Sequence, residues 1–145
     1  MALDWLWNCQ GIMDGKKRLI FDTNFLMIPY KENIEIFQEI KRLVPEKYEI
    51  FTFTGVVNEL KKIEEGKGSK GKDKIASRIA LQLIEKKNIK VMESHGRVDK
   101  FIIDFAQRNK KNVIICTNDK KLREKLKELN VSIICMRGRN RLGFA

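Results

Sequence analysis

The chain has 145 residues, enough for one domain whose apolar core needs neither disulfides nor a structural metal. Lys and Arg number 30 against 19 Asp and Glu, and the net charge of +11 favours a polyanionic partner such as nucleic acid. No apolar run approaches the length of a membrane span, and the three cysteines, Cys9, Cys116 and Cys135, form no CxxC pair. A membrane partner, a zinc ribbon and a disulfide framework are therefore not expected, and a reducing compartment, the cytoplasm, is.

The chain begins "MALDWLWNCQGIMDG", apolar with two tryptophans but carrying Asp4 and no basic start, which makes a poor signal peptide. Residues 1–15 are expected to be a separate N-terminal segment, either disordered or the product of a misassigned start, since Met13 stands just before the regular pattern begins. Residues 16–145 are expected to form a single domain ending in a basic tail.

From Arg18 onward, short apolar runs alternate with helical patterns, the signature of βαβ units around a parallel sheet. The first strand is expected over Arg18 to Asp22. No clear apolar periodicity follows until Ile36, Phe37, Ile40, Leu43 and Val44, which mark a helix closed by Pro45. "KYEIFTF", Lys47 to Phe53, is β-branched and aromatic and reads as the second strand. A helix then starts near Thr54, whose hydroxyl is a candidate N-cap, with Val56, Leu60 and Ile63 on one face.

The low-complexity break "GKGSKGK", Gly66 to Lys72, precedes a helix over Asp73 to Lys87. A strand over Ile89 to Glu93, a helix from about Arg97 to Asn109 and a strand over Asn112 to Thr117 follow. A helix over Asp119 to Leu129 and a last strand over Val131 to Met136 complete the pattern. Five parallel strands alternating with helices must be covered on both faces, which gives a three-layer α/β/α architecture.

The glycine-rich break contains the spacing GxxxxGK of a phosphate-binding P-loop, from Gly66 to Lys72. The next residue should be a Ser or Thr that holds magnesium; here it is Asp73, which repels phosphate, and a helix precedes the loop where the motif needs a strand. A nucleoside-triphosphate site is excluded on both grounds.

The acidic residues carry more information. Ligands of an open α/β sheet bind beyond the carboxyl ends of its strands. Asp22 ends the first strand, with Thr23 and Asn24 beside it. Glu59 lies early in the helix after the second strand, Asp99 in the first turn of the helix after the third, and Asp119 at the start of the helix after the fourth, behind Thr117 and Asn118. All four fall on one edge of the sheet. Asp99 and Asp119 also read as helix-dipole and capping residues, which Asp commonly is. Asp104 rivals Asp99 on periodicity but lies more than a turn further from the strand ends. His95 reads as a loop residue.

Carboxylates meeting in one crevice raise each other's pKa unless a cation sits between them. Oxygen ligands suit magnesium or manganese, and such an ion in a strongly basic protein points to chemistry on a phosphodiester.

"LIFDTNFLM", "TGVVNELKK", "RVDKFIIDFA" and "VIICTNDKKLREKLKELNVSII" together resemble a PIN-domain ribonuclease, of the kind found among VapC-type toxins and ribosomal-RNA processing nucleases. The resemblance spans roughly Lys17 to Met136, and its most diagnostic part is the strand that ends in Thr-Asn-Asp before a leucine-spaced helix. It implies a sheet order of 3-2-1-4-5 and Mg2+- or Mn2+-dependent endoribonuclease activity. It places the family's acidic residues on Asp22, Glu59, Asp99 and Asp119, with Thr117 or Asn118 supporting the last. It also implies RNA as substrate, frequent homodimers, and an antitoxin or ribonucleoprotein partner. Val98 stands where related families often show a second acid, so the acidic set is lean.

Basic residues that could contact an RNA backbone are Lys67, Lys70 and Lys72 in the loop and Arg137, Arg139 and Arg141 in the tail. Scarce exposed aromatics leave sequence preference unread, although cleavage more often demands an unstacked strand. Two other classes compete with the nuclease. One is a non-catalytic RNA-binding scaffold descended from such a domain. The other is a receiver-like magnesium-binding signalling module, for which Glu93 and Arg137 are poor substitutes for the expected Asp and Lys.

Overall fold

Three consecutive apolar residues, Leu19, Ile20 and Phe21, make Lys17–Phe21 the strand β1, and their complete burial puts it at the centre of the sheet. The structure is a computed structural model and describes residues 16–66 and 68–145, so the expectations for residues 1–15 and for Lys67 lie outside the described residues. β1 pairs in parallel with β2 (Tyr48–Phe53) on one side and β4 (Val113–Cys116) on the other. β3 (Lys90–Met92) extends β2, and β5 (Ser132–Met136) extends β4. The parallel order β3-β2-β1-β4-β5 follows the expected 3-2-1-4-5. It differs from the 2-1-3-4-5 order of receiver-type folds, which removes the signalling-module alternative.

Two features depart from the sequence reading. The basic tail does not trail away: Leu142–Phe144 forms a sixth strand, β6, antiparallel to β5. Glu39 and Arg42 pin it, the Glu39 carboxylate accepting from the Leu142 N–H (2.9 Å) and the Arg42 guanidinium donating to the Leu142 carbonyl (3.0 Å). The second departure is a helix, α1 (Thr23–Lys31), that begins directly after β1. Phe25, Leu26, Met27 and Ile28 are all buried in it, and a helix buried on every side shows no amphipathic period.

The remaining helices are α2 (Ile36–Leu43), α3 (Thr54–Glu65), α4 (Gly71–Lys86), α5 (Val98–Arg108) and α6 (Lys120–Glu128). Asn88 and Asn130 take left-handed backbone, φ 52° and 60°, just past the ends of α4 and α6 and turn the chain into the next strand. Cys116 and Cys135 are free and fully buried, and burial pushes the Cys116 thiol well above its usual value. No helix among the described residues is long and apolar enough to cross a membrane.

Candidate active site

The chain leaves β1 into α1 through Asp22, whose backbone is fixed before its side chain is considered. Its N–H donates to the Cys116 carbonyl (3.1 Å) and its carbonyl accepts from Leu26 N–H in the first turn of α1 (3.1 Å). One step earlier, the buried Thr52 hydroxyl of β2 donates to the Phe21 carbonyl at 2.7 Å. The strand end is thus closed by hydrogen bonds from both neighbouring strands, and Asp22 is the N-cap of α1, outside the strand proper. Its Oδ1 accepts from Thr23 N–H at 2.7 Å and its Oδ2 from the Thr117 hydroxyl at 2.8 Å.

Those two bonds favour the ionised form, yet the carboxyl is raised from 3.8 to about 6. Burial is the main cause, since only 8 % of the residue is exposed, and the negative charges of Glu59 and Asp119 add to it. Capping alone does not account for an acid placed beside two others of the same charge.

The other three carboxylates line the same cleft, of about 700 Å3, at the carboxyl ends of the strands. Glu59 on α3 accepts a hydrogen bond from the Thr23 hydroxyl at 3.0 Å. Asp119 caps α6 by accepting from Leu122 N–H at 2.9 Å, so its capping role and its place in the cleft coexist. Asp99, in the first turn of α5, is paired with Arg97 at 3.4 Å. Asp104 does not line the cleft, and His95 sits exposed in the preceding loop, 4.0 Å from Glu93.

The polar residues beside the acids tie three strand ends together. The Thr117 hydroxyl, which donates to Asp22, accepts from Asp119 N–H at 3.2 Å. Asn24 Oδ1 accepts from Asn118 N–H at 3.1 Å, and Asn118 Oδ1 accepts from Met136 N–H at 3.0 Å, at the end of β5.

Sequence reasoning missed the device that holds the other wall. Thr54 does not cap α3; Phe53 occupies the cap position. The Thr54 hydroxyl instead accepts from Ser94 N–H at 3.0 Å, while the Ser94 hydroxyl accepts from Gly55 N–H at 2.9 Å. This reciprocal pair joins the start of α3, the helix of Glu59, to the loop that leads into α5, the helix of Asp99. Gly55 is required there, because a Cβ would fall 2.6 Å from Val98 Cγ2. A Gly in the first turn of a helix, read beside the β3–α5 loop, is the one sequence signal that could have pointed to it.

Among the described residues, no three Asp, Glu, His or Cys side chains converge closely enough to form a metal cage. The fit to a cation rests on the donor chemistry instead: oxygen ligands only, one of them held toward protonation chiefly by its burial and further by Glu59 and Asp119. An ion that keeps several of its own waters suits such an open set.

The sequence-suggested basic contacts lie elsewhere. Lys70 and Lys72 follow the far end of α3, twelve residues from its start at the cleft, and Asp73 beside them pairs with Lys31 at 3.0 Å. Arg137, Arg139 and Arg141 occupy the β5–β6 turn, where Arg137 N–H donates to the Arg141 carbonyl. None of these five lines the cleft. The cations that do are Lys62 and Arg97, which the sequence reading did not single out.

The pattern of a family described as "PIN like domain" matches residues 19–139. Ribonuclease VapC4 of Methanocaldococcus jannaschii is 36% identical over 121 residues, covering 83% of this chain and 90% of that protein. Ribonuclease VapC9 of Archaeoglobus fulgidus is 31% identical over 114 residues, covering 79% and 78%. Among solved structures, the PIN domain endonuclease Utp24 superposes with a TM-score of 0.72 at 21% identity, over 88% of this chain and 90% of that one. A domain of a functionally unknown Methanocaldococcus jannaschii protein superposes with a TM-score of 0.56 at 20% identity, over 84% and 92%.

Proposed function

Because this chain belongs to the PIN-like domain family, we propose that it is an endoribonuclease that hydrolyses RNA phosphodiester bonds with Mg2+ or Mn2+ held by Asp22, Glu59, Asp99 and Asp119. The observation that carries the reading is the convergence of Asp22, Glu59, Asp99 and Asp119, from four separate strand-to-helix junctions, on one cleft at the carboxyl ends of the strands. When bound, the divalent ion lowers the pKa of a coordinated water and offsets charge developing on the phosphate.

The chain's own residues supply the rest. Thr117 and Thr23 N–H hold both oxygens of Asp22 in a fixed orientation, and Thr23 does the same for one oxygen of Glu59. The capped helix α6 holds Asp119, and the Thr54–Ser94 pair sets the spacing of the opposite wall. The likeness to two archaeal ribonucleases named VapC supports a toxin-type role with an antitoxin partner over ribosomal-RNA processing; the cytoplasm and a homodimer complete the proposal.

The test is cleavage of labelled single-stranded RNA with Mn2+, with EDTA, and by Asp22→Asn with Mn2+. Cleavage only by the unaltered protein with metal is expected; undiminished cleavage in EDTA or by the variant overturns the metal mechanism. The Arg97–Asp99 pair and the lean acidic set support a second reading, an RNA-binding scaffold that does not cleave. That reading predicts RNA binding unaltered by EDTA and no product under any condition.

A further inference from the structure

A cleft that presents four carboxylates repels the backbone of the polyanion it is to cleave, and the net charge of +11 does not help unless cations stand at the cleft itself. Among the described residues, Lys62 and Arg97 are the two basic side chains that line it. Lys62 lies three residues after Glu59 on α3, and so on the same helix face; Arg97 lies two residues before Asp99, at the entry to α5. The two cations therefore reach the cleft from different elements, each beside one acid of its own element. The Thr54–Ser94 pair joins those elements.

Their states differ in a way that bears on use. Lys62 forms no ion pair among the described residues, although Glu59 is its neighbour on the helix and the cleft is acidic. Arg97 reaches Asp99 only at 3.4 Å, with 78% of its side chain exposed, a contact that solvent screens and a stronger anion displaces. A guanidinium offers a phosphate two parallel donors, and an ammonium offers a compact charge.

We propose that Lys62 and Arg97 form a phosphate clamp, binding backbone phosphates of a single RNA strand on either side of the acidic residues. The clamp rests on the nuclease reading for its substrate. When the strand enters, Arg97 exchanges Asp99 for a phosphate oxygen, which leaves the Asp99 carboxylate free to face the cation. The clamp assigns the decisive contacts to these two residues and a lesser, general attraction to Lys70, Lys72 and Arg139.

The experiment is fluorescence anisotropy of a short labelled single-stranded RNA, titrated in EDTA at several KCl concentrations, so that no cleavage intervenes. The proteins are the full chain, Lys62→Ala, Arg97→Ala, the charge-keeping Lys62→Arg and Arg97→Lys, and the distant Lys70→Ala and Arg139→Ala. Each clamp alanine variant is expected to bind about threefold more weakly and to lower the slope of log affinity against log salt by about 0.7. The charge-keeping variants should restore most of both, and the distant variants should lose less. In Mn2+, KM for RNA should rise for Lys62→Ala and Arg97→Ala. Affinity and slope unchanged in both clamp variants, or no more altered than in Lys70→Ala and Arg139→Ala, overturn the clamp. Tight, clamp-dependent binding with no cleavage in Mn2+ would instead sink the nuclease reading and leave the clamp standing.

Discussion

The two edges of one sheet treat charge in opposite ways. At the amino-terminal edge, Arg18 is 1% exposed, and its register partner Glu49 lies 3.9 Å away, with Lys16 at 3.6 Å and Lys90 also bonded to the same carboxylate. At the carboxyl-terminal edge, just beyond the end of β1, Asp22 is 8% exposed and its charged neighbours are Glu59 and Asp119. The first edge surrounds its acid with cations, so Glu49 is held below its usual value, chiefly by the Lys90 hydrogen bond. The second edge buries its acid with only other acids for charged neighbours, so Asp22 is pushed up to about 6, chiefly by its burial and to a lesser degree by Glu59 and Asp119. The difference separates an ion network of mixed charge from a buried acid that shares its cleft with three other carboxylates.

The largest effect expected from breaking this contrast is on cleavage. Asp22→Asn keeps the shape of the cap and removes the charge, and RNA cleavage in Mn2+ should fall by more than about a hundredfold, measured by product formation from labelled RNA.

A thermodynamic consequence comes next. Between 3.8 and about 6 the folded protein holds a proton on Asp22 that the unfolded chain has lost. Its contribution to metal-free stability therefore falls as pH rises through that window, by about 3 kcal/mol in all, and stays flat above it. Glu49 has the opposite sign: its contribution is present above its ordinary value of 4.5 and is lost as pH falls below it. Urea unfolding of the metal-free protein from pH 4 to 7 should show the Asp22 decline, and Asp22→Asn should abolish it and be the more stable protein at pH 7. A variant that is instead less stable at pH 7 would mark Asp22 as a cap and no more.

The other edge is tested by Glu49→Gln. Removing the Glu49 charge from its network with Arg18, Lys16 and Lys90 should cost about 2 kcal/mol, less than for a fully buried pair because Glu49 retains some solvent. RNA cleavage by this variant should follow its folded fraction and nothing else. The smallest effect sharpens the comparison within the cleft. Thr117→Val removes the donor that favours ionised Asp22, and should cost about 1 kcal/mol at pH 7 while moving the pH-dependent decline to higher pH, read from the same urea series.

The βαβ alternation, the five parallel strands and the strand-end position of Asp22, Glu59, Asp99 and Asp119 were legible in the sequence. Each follows from short-range pattern: apolar runs of strand length, helical spacing, and a polar residue at a junction. Helix α1 was not legible, because four consecutive buried residues erase the period that marks a helix. Nor was β6, since "RGRNRLGF" reads as a charged tail until Glu39 and Arg42 of α2 are seen to grip Leu142.

What the sequence determined by itself is which edge of the sheet carries the acids, because strand direction and junction position are local. Only the tertiary structure decided how they meet: that Thr117 and Thr23 N–H bind both oxygens of Asp22, that Ser94 and Gly55 bring the α5 entry against α3, and that Lys62 and Arg97 rather than the basic loop and turn face the cleft. These are contacts between residues tens of positions apart. Chain closure and packing set them, and no spacing along the chain records them.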